Sequence, residues 1–141
     1  MIIALFQLRD QNRLRQISMV MNLFSTFGQE SFLHHYRRVT TWQYAKYQDF
    51  QKEATEDDYV SLMVVSSFFE NMGLLYKRRL APLDLIDDLL SAPIIQSWHK
   101  AGPILVGMRA ESGPQWAEWY ELLYNAMAER LARLEQKHPT R

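Results

Sequence analysis

The sequence contains no cysteine, and that single absence removes disulfide scaffolds, thiolate metal sites and cysteine nucleophiles together. A cytosolic compartment is permitted. There is no surplus of charge of either sign, because sixteen Lys and Arg balance sixteen Asp and Glu. A dedicated nucleic-acid binder carries a basic excess, so nucleic acid is not an expected partner. The chain also lacks a glycine-rich phosphate loop, a dinucleotide fingerprint and a serine in a nucleophile elbow. No cofactor is therefore expected. Internal repeats, low-complexity tracts and flexible linkers are missing too, and strand-like alternation is confined to very short runs.

What remains is helix. At 141 residues, 48% of them hydrophobic and 13% aromatic, the chain can fill one core but is too short for two domains. The expectation is an all-α fold, a single compact bundle of five or six helices with a proline-kinked segment, occupying residues 1–141. A long helix over residues 1–27 opens it and a long helix over residues 114–138 closes it. In the first, Leu14, Ile17, Met21 and Phe24 repeat at three and four, Val20 widens the stripe, and Gly28 supplies a stop. Ser31 reads as the cap of a second helix carrying Phe32, Tyr36 and Val39. Residues 43–53 are polar but hold Tyr44, Tyr47 and Phe50, the pattern of a short helix or ordered loop.

Thr55, followed three residues later by Asp58, has the form of a capping box, and Glu56 and Asp57 suit the positive end of a helix dipole. The helix that follows, residues 59–78, is apolar nearly all round and so belongs at the centre. Pro82 and Pro93 each read as the first turn of a short helix, and Gly102-Pro103 as a kink or break. Ser112-Gly113-Pro114 marks a turn. Beyond it Trp116, Tyr120, Leu123, Met127, Leu131 and Leu134 form one continuous stripe, and Pro139 ends the helix.

Candidate chemistry is sparse. Glu30 and His34 share a helix face, yet the further ligands of a metal site are not evident and His35 points elsewhere, so no metal is expected. Arg133 and His138 have the spacing of the arginine, four-residue gap, histidine motif of HEPN-type ribonucleases, themselves small helical bundles. In that alternative, His138 is the general acid or base and Arg133 steadies the phosphate, without metal. Leu134 stands where those motifs carry a polar residue, and a basic helix end favoured by the dipole explains the pair without catalysis. Glu70 and Arg109 each sit in apolar surroundings. A charge there needs a partner, so both are expected to be buried and hydrogen-bonded, to each other as a structural ion pair or to backbone groups.

Four features of the chain then stand out together: Phe68-Phe69-Glu70 with Gly73, Trp98 followed by Pro103, Arg109, and Tyr120-Glu121-Leu122-Leu123. On these the segment from about residue 13 to residue 127 resembles a family of small bacterial helical proteins of unknown function. In that family one N-terminal transmembrane helix often precedes the helical domain. The resemblance implies the fold and proximity to a membrane, and implies no catalytic residue. The chain departs from it by lacking most of the membrane segment.

The start of the chain carries its own expectation. Ile2, Ile3, Leu5, Phe6 and Leu8 occupy nearly every side of two helical turns, and Arg9, Arg13 and Arg15 follow. Apolar then basic is the order at the cytoplasmic end of a membrane helix, although a segment of this length cannot cross a bilayer. Residues 1–8 are expected to project from the bundle and to contact a protein partner, a second copy of the chain or a membrane surface. The expected function is that of a non-enzymatic interaction or scaffolding module, cytoplasmic or at the inner face of the cytoplasmic membrane.

Overall fold

A computed structural model describes residues 2–139; Met1 lies outside the described residues. Six helices follow in order: α1 (Ile2–Phe27), α2 (Glu30–Thr41), α3 (Tyr47–Glu53), α4 (Glu56–Lys77), α5 (Leu83–Ser112) and α6 (Glu118–Lys137). No strand occurs among the described residues. The fold is all-α. The hub is α4, which packs on α2, α5 and α6 and buries Leu62, Val65, Phe69 and Met72 completely.

The start of α4 is fixed as its sequence demands. Thr55 Oγ1 accepts the Asp58 N–H at 3.3 Å, and the Asp58 carboxylate accepts the Thr55 N–H at 3.0 Å, closing a capping box. The same carboxylate accepts from Tyr44 Oη at 2.8 Å and from Arg38 Nε at 2.7 Å. Asp58 therefore ties α2 and the 42–46 connection to the head of α4. Burial alone pushes this carboxyl up. The Thr55 backbone N–H, Arg38, Tyr44 and the Thr55 hydroxyl outweigh that and bring it from 3.8 down to about 2.

The neighbours of α4 run in definite directions. α2 is antiparallel to it, with Arg38 at Asp58, His35 Nδ1 2.9 Å from Ser61 Oγ, and Phe32 against Phe68. α6 is parallel to it. Phe69 stacks on Tyr120 at 5.1 Å, and Tyr76 shares a surface pocket with Ala126. Gly73 makes this approach possible, because a Cβ there would lie 2.0 Å from the Trp119 carbonyl oxygen. Tyr120, fully buried, also meets Trp98 edge-on at 4.8 Å and shares a 2.5 Å hydrogen bond with Ser97 Oγ on α5.

Several boundaries differ from the sequence reading. Helix α2 begins at Glu30, after Gln29, so Ser31 lies inside it and is not the cap. Pro93 and Pro103 end no helix; α5 runs unbroken for 30 residues. Each proline removes one backbone donor, but Ile94, Trp98, Ala101, Ile104 and Leu105 are buried around both positions, so packing outweighs the lost bonds. Near Pro103 a reciprocal clamp adds support, Trp42 Nε1 donating to the Lys100 carbonyl at 3.3 Å and Lys100 Nζ to the Trp42 carbonyl at 3.0 Å. Trp116 belongs to a turn, and α6 starts at Glu118.

Both apolar stripes of the terminal helices also run differently. Leu14 is 66% exposed, Met21 46% and Ile17 38%, while Val20 is the buried residue of α1. The docked face is rotated by about one residue and carries Val20, Leu23, Phe24 and Phe27. In α6 the stripe is buried at Tyr120, Leu123 and Met127, but Leu131 and Leu134 are about half exposed. The parallel register explains this, because α4 stops at Lys77 and α6 continues past it.

Two outcomes follow. Gly73→Ala should destabilise the fold by about 3 kcal/mol through overpacking against the Trp119 backbone, whereas Gly28→Ala, whose Cβ meets nothing closer than 3.6 Å, should change little; urea titrations compare them. Because the folded Asp58 carboxyl is depressed, its stabilisation is complete above 3.8 and disappears as pH falls toward about 2. The stability difference between wild type and Asp58→Asn should therefore be full at neutral pH and shrink through that window in acid melts.

Candidate functional site

The first turn of α6 needs acceptors for its free backbone N–H groups, as every helix start does. Its own N-cap residue, Ala117, has no side chain that can serve. The acceptor comes instead from α4. Glu70 Oε2 accepts the Tyr120 N–H at 2.8 Å and Oε1 the Trp119 N–H at 3.4 Å. A carboxylate at this position also meets the positive end of the α6 dipole.

Arg109 holds the other side of the same segment. Its Nε donates to the Trp116 carbonyl at 2.8 Å and its Nη2 to the Glu121 carboxylate at 2.5 Å. The predicted ion pair between Glu70 and Arg109 is thus corrected. Each finds its partners on the 116–121 segment lying between them, and the two charges are bridged by that segment instead of touching. The side chains are half-buried, that of Arg109 being 22% exposed. The sequence showed that both charges needed partners, with backbone groups among the candidates; it could not show which backbone groups would supply them.

The turn between these two grips is unusual. Ala117 has φ 58, a left-handed conformation that costs a non-glycine residue free energy, and Gly113 has φ 99. The indole N–H of Trp116 is buried without an acceptor among the described residues. Beneath the turn lies a cavity of about 210 Å³, walled by Met63, Leu105, Trp116 and Ala117 and reached by Ser66 and Glu70. Nothing in the sequence marked this cavity, because it forms from three separated segments.

The other sequence-derived candidates lie apart from it. Ile2, Ile3, Leu5, Phe6 and Leu8 are between 57% and 74% exposed, and every described residue of α1 before Gln16 is exposed. Arg9, Asp10, Asn12 and Arg13 flank a groove with Pro82, Asp84, Leu85 and Asp88, and Gln16 Nε2 donates to the Arg79 carbonyl at 3.2 Å. Arg133 is exposed and paired with Glu129, and His138 is the exposed residue after the last turn of α6. The cavity does not include either of them. His34 is exposed and stacks against His35, and His99 Nε2 lies 3.2 Å from Tyr124 Oη. Among the described residues no three His, Asp or Glu side chains are grouped as metal ligands. No described helix is long and apolar enough to cross a membrane.

Glu70, Gly73, Arg109 and Glu121, which help organise the α4–α5–α6 joint, are among the residues that the resemblance rested on. A family model with the description Domain of unknown function (DUF4760) matches residues 1–127. The chain belongs to that family. The DUF4760 match takes in Glu70, Gly73, Arg109, Trp116 and Glu121, whereas Arg133 and His138 lie beyond it. No curated protein and no solved structure matches the chain.

Removing the interhelical cap with Glu70→Ala should cost roughly 2 kcal/mol, the scale of a lost cap with a charged hydrogen bond. Glu70→Gln keeps an acceptor and should lose less. Arg109→Ala should cost about 1–2 kcal/mol, its partners being partly solvated. Thermal melts in which both alanine variants match wild type would refute this account of the joint.

Proposed function

We propose that the domain is a non-enzymatic interaction module that uses the free half of α1 to seat the bundle on an anionic membrane surface, at the cytoplasmic face. The observation that carries this reading is the exposure of Ile2, Ile3, Leu5, Phe6 and Leu8 on all sides of one helix. A protein groove takes one face of a helix. A helix that is apolar all round suits an isotropic apolar medium better. Seven residues span about 10 Å at 1.5 Å each, which reaches into one leaflet and no further.

Charge around the base of this segment supports the same reading. Arg9, Arg13 and Arg15 follow it, and the Gln16–Arg79 contact brings the end of α4, with Lys77, Arg78 and Arg79, alongside. Asp84 and Asp88 of α5 offset Arg9 and Arg13, with which they line a groove. The remaining basic groups contribute about 1 kcal/mol each near an anionic leaflet. The projecting end of α6, with Leu131 and Leu134 exposed, leaves the bundle at this end as well, since Arg130 bonds Asp87 in the first turns of α5.

The full chain should co-sediment with vesicles of mixed phosphatidylglycerol and phosphatidylcholine and bind phosphatidylcholine vesicles more weakly. Deleting residues 2–8, or Phe6→Glu, should abolish sedimentation and leave the melting temperature unchanged, because these residues are exposed and lie outside the core. A chain that ignores both vesicles and instead forms a dimer or captures a protein through residues 2–8 would overturn the membrane reading.

A further inference from the structure

The cavity under the 113–117 turn carries an electrostatic imbalance. Its walls are mostly apolar, and Glu70 is the one charged side chain that lines it. The α6 N-terminus offers that carboxylate the equivalent of about half a positive charge. Arg109 adds little, since its guanidinium is committed to Glu121 and to the Trp116 carbonyl. A carboxylate has about four lone-pair sites, and the two backbone N–H groups use only part of them. A fraction of a negative charge therefore remains facing a space with no cation in its lining.

We propose that this cavity is a binding site for a small organic cation, an ammonium group on a compact apolar body. The remaining polar lining, Ser66, Ser67 and Gln115, offers acceptors to ammonium N–H groups, and the Trp116 indole supplies an aromatic wall of the kind that favours cations. Volume fits as well. At about 210 Å³ the cavity exceeds the about 150 Å³ of an engineered apolar cavity that takes up benzene. The turn covering it is not built for maximal stability. Ala117 at φ 58 costs free energy, as residues around binding sites often do. This inference is independent of the membrane reading, involving neither α1 nor lipid.

Benzylammonium is a suitable probe and benzyl alcohol its neutral counterpart. With the full chain in solution, titration followed by the Trp116 indole N–H resonance should give millimolar binding of benzylammonium, at least about tenfold tighter than benzyl alcohol. Ser67→Leu, at an exposed position on the rim, should block binding of both probes without altering the melt. Glu70→Gln should erase the preference for the cation while keeping benzyl alcohol binding. Absence of millimolar benzylammonium binding, equal affinity for the two probes, or binding unaffected by Ser67→Leu would each overturn the proposal. The Ser67 variant keeps the test decisive even if Glu70→Gln fails to fold.

Discussion

The cap that Glu70 places on α6 is the contact on which the rest of the architecture depends. A helix usually finishes its own N-terminus with a nearby serine, threonine or aspartate. Here the acceptor lies some fifty positions earlier in the chain, on a helix that is already central. Capping and docking therefore cannot be separated. α6 has a satisfied first turn only when it lies in one register against α4, with Gly73 under the Trp119 backbone and Phe69 on Tyr120. Arg109 then closes the joint from α5 through Trp116 and Glu121. Three helices are thus referred to one short segment.

That joint gives the features singled out in the sequence a physical meaning. The Phe68-Phe69-Glu70 run with Gly73 is a docking surface and a cap on one helix face. Arg109 and Glu121 are the two halves of an ion pair, 2.5 Å apart, with Arg109 also holding the turn. Trp98 and Tyr120 meet in the core. Tyr120 is fully buried, its hydroxyl is bonded to Ser97, and burial pushes its phenol well above the ordinary range.

Local signals in the sequence were legible where the physics is local. The Thr55–Asp58 capping box depends on residues three apart, and the structure contains it. The all-α class follows from periodicity within each helix. The continuity of α5 was not legible, because proline's effect on its own helix is local whereas the burial of Ile94, Trp98 and Ile104 that overrides it is tertiary. The stripe of α1 misled for a related reason: Leu14, Ile17 and Met21 have ideal spacing, but which face docks is decided by α2 and α5, and Val20 won. Glu70 shows the boundary most clearly. Its need for a partner could be read from its neighbours, but the partner is a pair of backbone N–H groups with no signature in any sequence.

The long first helix has a consequence in terms of the helix–coil transition. Its exposed stretch, residues 2–15, is about as short as the roughly 12–15 residues at which an isolated helix becomes marginal in water. Starting such a helix is the unfavourable step, and here the docked residues Val20 to Phe27 already provide the nucleus. The exposed stretch propagates from that nucleus one residue at a time, so its helicity falls off smoothly toward the chain start. Its amides exchange with solvent through fraying alone, without opening the bundle. Any surface that receives Ile2 to Leu8 needs only to complete a helix that is already begun, and the ordering entropy it must overcome is that of two turns.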